Sequence, residues 1–180
     1  MSNKIFEKKP IELSKSQEFA YYIICLSISL ILSYVEAIFP LDIGGLGVKV
    51  GFANIITLIA LQILDIKKTL IINILRIVII GIMFGNIIRF ILSLSGFLLS
   101  FVIMTIMLKK LNFSMITSSV FGGVSHNLGQ IISLAIILKN RQIFTLVPFY
   151  TIVGIVAGII IGILSDIIYK KISILHLNNM

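Results

Sequence analysis

Hydrophobic residues fall into six long runs along this chain, at about residues 19–39, 48–64, 69–84, 87–108, 114–138 and 143–169. A bilayer core needs about 20 apolar helical residues per crossing, and runs this long and continuous are not strands. The pattern predicts an all-α integral membrane protein: a six-transmembrane-helix bundle at 19–171, a basic cytosolic segment at 1–18 and a short cytosolic tail at 172–180. The second and third runs are short, which admits a tilted or partly re-entrant geometry. Ser14 or Ser16, within SKSQE, is the expected N-cap of the first helix.

Polar residues between and within the runs carry the functional signal. Residues 36–54, EAIFPLDIGGLGVKVGFAN, hold acids, a proline, four glycines, a lysine and an asparagine between two runs nearly free of charge. Irregular backbone and charge near hydrocarbon persist only where protein or a water-filled cavity satisfies them. The segment and the helix ends beside it are therefore expected to form an outward-facing pocket.

Composition narrows the class. Of 180 residues 58% are hydrophobic and 12% charged, which excludes an ordinary water-soluble domain. The single Cys25 rules out a disulfide framework, and with no Trp, interfacial anchoring falls to Tyr, Phe, Lys and Arg. The net charge of +8 does not point to nucleic acid here, because the basic residues flank apolar runs. With the N-terminus inside, Lys4, Lys8, Lys9, Lys15, Lys67, Lys68, Lys109, Lys110, Lys170 and Lys171 are cytosolic. Lys49, Arg89, Lys139 and Arg141 are outside, and Arg76 lies within a span. Three KK pairs on one side follow the positive-inside rule and put both termini in the cytosol. The first run is too long for a signal-peptide core and lacks an A-x-A cleavage site, so it reads as a membrane anchor.

Candidate chemistry sits at depth. On the first helix Cys25, Ser29, Ser33 and Ala37 recur every fourth residue, either packing within the bundle or offering a docking face to another membrane subunit. Gly154, Gly158 and Gly162 on the last helix read as internal packing. Asn54 opens the second run as a candidate ligand group, while Asp65 at its far end is expected to pair with Lys68. Arg76 lies near mid-depth, where an arginine costs about 2.5–3.5 kcal/mol and needs an interior partner. Glu36, broken backbone or an anionic ligand would serve, the guanidinium fork suiting carboxylate or phosphate. Arg89, Ser93, Gly96 and Ser100 form a polar and small stripe in which Arg89 either snorkels to headgroups or walls a cavity. In FGGVSHNLGQ, His126 and Gln130 share a face with Asn127 beside it, as a buried hydrogen-bond cluster or a substrate wall. No metal site is expected: the other histidine, His176, is in the tail and no carboxylate lies at i+3 or i+4 from His126. Adjacent helical residues point about 100° apart, so Ser125 and His126 do not form a proteolytic dyad.

Three of these segments carry a resemblance. VKVGFANIITLIAL, LRIVIIGIMFG and GGVSHNLGQ, in that order, resemble the Gx transporter family, often labelled heptaprenyl diphosphate synthase component I, over residues 33–171. That family in turn resembles the substrate-binding S components of energy-coupling-factor (ECF) transporters. The resemblance implies six helices, cytosolic termini and a multi-pass protein of the bacterial plasma (inner) membrane. It also implies a pocket near the outer face closed by residues 40–51, and a docking face at Cys25, Ser29, Ser33 and Ala37 for a transmembrane coupling subunit that works with two ATPase subunits.

The reading is a substrate-binding subunit for a small anionic or amide-bearing solute, contacted by Glu36, Lys49, Asn54, Arg76, Arg89, His126, Asn127 and Gln130. Its partners are that solute, membrane lipids and the energising module, with no cofactor, metal, catalytic residue or nucleic acid. The alternative is a membrane component of polyprenyl diphosphate or quinone biosynthesis. Against enzymatic condensation, Asp42, Asp65 and Asp166 are scattered and form no DDxxD cluster for magnesium diphosphate, and no P-loop is present. A purely structural membrane partner is the third class, in which the polar groups pair with each other and leave no hollow.

Overall fold

Ser14 opens the first helix, α1 (Lys15–Ile38). Its hydroxyl accepts from the Gln17 backbone N–H, and the Gln17 side chain accepts from the Ser14 N–H, satisfying donors that a helix start leaves open. The computed structural model describes residues 13–39, 51–84 and 86–178. Helices α2 (Asn54–Ile63), α3 (Ile66–Phe84), α4 (Ile87–Thr105), α5 (Met115–Ile137) and α6 (Val147–Asn178) follow. A π-helical turn at Ile106–Lys110 extends α4, and a 3-10 turn at Arg141–Leu146 leads into α6. No strand occurs among the described residues.

Among the described residues four helical stretches are long and apolar enough to cross a membrane: Lys15–Ile38, Ile87–Lys110, Met115–Ile137 and Arg141–Leu175. Side chains such as Ile31, Ile82, Ile152 and Ile167 stand out of these and neighbouring helices into the surroundings, as lipid-facing residues do. The chain is a multi-pass membrane protein.

The second predicted span is different from what its hydropathy suggests. Within 48–64 the helix covers ten residues, or about 15 Å of rise against a hydrocarbon core of about 30 Å. Nine of those ten residues are buried, so α2 is apolar on all sides because protein surrounds it. It is a core helix rather than a lipid-facing crossing. Leu58, Leu61 and Ile59 anchor the main apolar cluster with Ile72, Phe97, Met104 and Met115.

Helices α4, α5 and α6 meet through glycines. A Cβ on Gly158 would stand 2.6 Å from Val120 Cα, one on Gly162 2.7 Å from Ile116 Cα, and one on Gly129 2.7 Å from the Ser95 carbonyl oxygen. Backbone therefore touches backbone, the use expected of Gly154, Gly158 and Gly162. At the end where α1 begins, Lys68 on α3 pairs with Glu18 on α1 and lies 3.4 Å from Asp65, the partner the sequence predicted.

Candidate functional site

At the end where α1 stops and α4 starts, the helix termini do not close on each other. A cavity opens there, lined by the last turns of α1 and α3, the first turns of α2 and α4, and the middle of α5. Including its mouth, the space free of atoms is about 640 Å³. About 40 Å³ of this is reachable by the centres of water molecules, and one ordered water needs about 10–15 Å³ on that measure.

Its floor and one wall are charged. Arg76, 7% exposed, reaches from α3 to α1, where Nη1 donates to Ser33 Oγ at 2.8 Å. Its Nε–H has no hydrogen-bond partner among the described residues. Glu36, 6% exposed, lies one turn beyond Ser33 and accepts the Gly51 backbone N–H at 2.7 Å. Gly51 has φ +82°, a left-handed conformation that glycine adopts at little cost, and a Cβ there would stand 2.9 Å from Asn54 Nδ2. Asn54 then starts α2 on the cavity wall.

Opposite, α4 starts at Asn86, whose side-chain oxygen accepts the Arg89 backbone N–H at 3.0 Å. That cap leaves the half-buried Arg89 side chain at the cavity with Phe90 and Ser93. His126 enters from α5, and its Nε2 lies 2.7 Å from Gln130 Nε2 one turn on. The remaining wall is apolar, from Ile77, Ile80 and Phe84. A buried guanidinium, a buried carboxylate, amides and aliphatic side chains around water-accessible space can orient a small polar solute. They do not form a metal centre: among the described residues no three His, Cys, Asp or Glu side chains converge.

The cavity gathers Glu36, Asn54, Arg76, Arg89 and His126 from five helices. Lys49 and residues 40–50 of the predicted capping loop lie outside the described residues. Asn127 and Gln130 do not line the hollow. Asn127 turns about 100° from His126, and its Nδ2 donates to the Tyr150 carbonyl on α6 at 2.9 Å. Gln130 is 1% exposed and props His126 from behind.

The stripe read either as internal packing or as a docking face packs inward. Cys25, Ser29, Ser33 and Ala37 are all buried in this chain's own bundle, while Ile24, Ile28, Ile31 and Val35 face outward. Ser33 and Ala37 line the cavity instead. Their spacing made a packing face visible; which neighbour it packs against is not written in one helix. Sequence reading missed Asn86, although an asparagine just before an apolar run is an N-cap signal. It also missed the aliphatic wall of α3, which is indistinguishable from lipid-facing sequence. Ser125 donates to the Phe121 carbonyl at 2.6 Å, so its hydroxyl is used within its own helix.

No curated protein and no solved structure gives a match to this chain. A family model described as heptaprenyl diphosphate synthase component I matches residues 25–168, which runs from within α1 to within α6 and takes in every cavity residue named above. The chain belongs to the heptaprenyl diphosphate synthase component I family.

Proposed function

We propose that this chain is the substrate-binding subunit of a membrane transporter. One observation carries the reading: Arg76, a guanidinium buried within the helices whose Nε–H has no hydrogen-bond partner among the described residues, lines a cavity that also holds a carboxylate and an amide. Desolvated charge is costly, and a purely structural helix pair would gain nothing from the hollow. In this reading six segments cross or enter a bacterial plasma membrane with both termini in the cytosol. Lys67 and Lys68, Lys109 and Lys110, and Lys170 and Lys171 then mark the inner side. The cavity, at the opposite helix ends, faces outward and accepts an anionic or amide-bearing solute. With no P-loop in the sequence, energy comes from a separate coupling subunit and its ATPases.

The family description favours a second reading, a membrane component of polyprenyl diphosphate synthesis. Glu36 weighs against a diphosphate in this cavity, because a polyanion would meet a buried carboxylate beside the arginine. Native mass spectrometry on protein extracted from its own membrane separates the two. A small polar solute retained by the wild type and lost in Arg76→Ala supports transport. A retained polyprenyl diphosphate, or prenyl transfer by the extract, overturns it.

A further inference from the structure

Arg76 and Glu36 face one cavity without closing on each other. Among the described residues no carboxylate comes within 4.0 Å of the guanidinium, although the charge of Glu36 acts on it. Opposite charges in a poorly screened interior collapse together unless something holds them apart. Here each is held by a neutral group. Ser33 takes Arg76 Nη1, and the Gly51 N–H takes Glu36 Oε1. Ser33 and Glu36 are three residues apart on α1, so the anchor for the cation and the anion itself are offset by about 4.5 Å along one helix. The separation is set by the backbone of α1 and is not left to the side chains.

Three guests can be compared against that layout. A diphosphate pairs with Arg76 but brings its remaining charge against Glu36. A simple carboxylate satisfies Arg76 Nε and leaves a buried carboxylate beside it. A guest with its own separated plus and minus satisfies both. The aliphatic residues Ile77, Ile80 and Phe84 then meet a side chain, and Asn54 or Asn86 adds a hydrogen bond. We infer that the cavity recognises a small zwitterion of the amino-acid type, its carboxylate on Arg76 and its ammonium on Glu36. This rests on the transport reading and specifies the solute class for it.

The test uses the full chain in lipid nanodiscs. Equilibrium dialysis with mass-spectrometric readout is run with a mixture of the proteinogenic L-amino acids. Separate runs use the matching deaminated acids, the matching decarboxylated amines, and inorganic pyrophosphate. The expected result is retention of one or a few amino acids, with the matching acid and amine each weaker by about tenfold or more, the scale of one charged hydrogen bond. Glu36→Gln keeps an oxygen for the Gly51 N–H and removes only the charge. It is expected to bring the amino acid and its deaminated acid to within about threefold while the melting temperature stays put, a change in selectivity that a structural role for Glu36 would not produce. An acid bound as tightly as its amino acid by the wild type overturns the zwitterion and leaves an anion transporter standing. Retention of pyrophosphate with no amino acid overturns the zwitterion, prenyl transfer by the same nanodiscs overturns the transport reading with it, and retention of none of the four probes also overturns the zwitterion.

Discussion

Two helices of this protein carry small residues at every fourth position, and the two stripes do opposite work. On α6, Gly154, Gly158 and Gly162 let the backbone of α5 come into direct contact. On α1, Cys25, Ser29, Ser33 and Ala37 are equally buried, but each keeps a Cβ, and Ser33 adds an oxygen that receives Arg76. Along its glycines the α5–α6 seam is thus closed backbone on backbone, whereas the α1–α3 seam holds charge and opens into a cavity at one end. Small-residue spacing alone marks close helix approach. Whether the approach seals or leaves a site depends on whether the small residue is glycine or carries a polar atom.

The sharpest way to break the comparison is to thicken the closed glycine seam. Gly158→Leu places a side chain where Val120 Cα is 2.6 Å and the Ser119 carbonyl oxygen 2.8 Å from the first added carbon. Backbone cannot step aside as a flexible side chain can, so the cost falls at or above the upper end of overpacking, about 3 kcal/mol or more. Denaturant titration in micelles should show that loss. Ser29→Leu in the other stripe is buried too, yet that position already accommodates a Cβ and an oxygen, and the change is expected to cost less. Equal losses would erase the distinction between the seams.

On the polar side, Arg76→Ala tests whether the open seam serves a ligand. It removes a buried guanidinium whose Nε–H has no hydrogen-bond partner among the described residues, so ligand affinity should fall by about 2 kcal/mol or more, roughly 30-fold. Dialysis against the retained solute measures it. Stability should fall less than in Gly158→Leu, because only Ser33 among the described residues receives a hydrogen bond from Arg76.

How much of this was legible in the sequence follows the same division. The α4–α6 helices could be read off hydropathy, because each is long, lipid-facing on one side and bounded by Asn, Ser or Lys signals. Their glycine seam was readable too, since glycine at i, i+4, i+8 has few other uses in a membrane helix. The α1–α3 region was harder. The second run is as apolar as a span, but α2 is apolar because it is enclosed, and composition does not distinguish protein from lipid as the surrounding medium. Five of the proposed site residues do converge, since charge and amides at depth must find a cavity or each other. Asn127 was the plausible miss: one residue of helical rotation turns it from the hollow to the Tyr150 carbonyl.

That rotation gives a third prediction, which sharpens where the open seam ends. Asn127→Ala removes a helix-helix hydrogen bond to α6, a loss of about 0.6–2 kcal/mol. Ligand affinity should stay within about twofold, since the side chain does not line the cavity, well short of the loss expected at Arg76. A tenfold fall in affinity with unchanged stability would return Asn127 to the site.

The smallest effect is expected at the far end of the α1–α3 seam, in the turn before α3. The Asp65 carboxyl is held below its ordinary value, first by the Lys68 backbone N–H at 2.6 Å and then by the Lys68 side chain. A depressed folded value means that the carboxylate adds stability above the unfolded pKa of about 3.9, and that this contribution is lost as pH falls through the lower folded value. Asp65→Asn should therefore melt slightly below the wild type at pH 7, with the gap closing under acid conditions. The side chain is more than half exposed, which keeps the gap small through solvent screening. Because Lys68 also pairs with Glu18, the same series run on Glu18→Gln asks whether α1 is tied to α3 at this end as Ser33 ties it at the other. If both variants melt below the wild type at pH 7 and neither alters ligand affinity, the α1–α3 seam is clamped where α1 begins independently of the cavity where α1 stops.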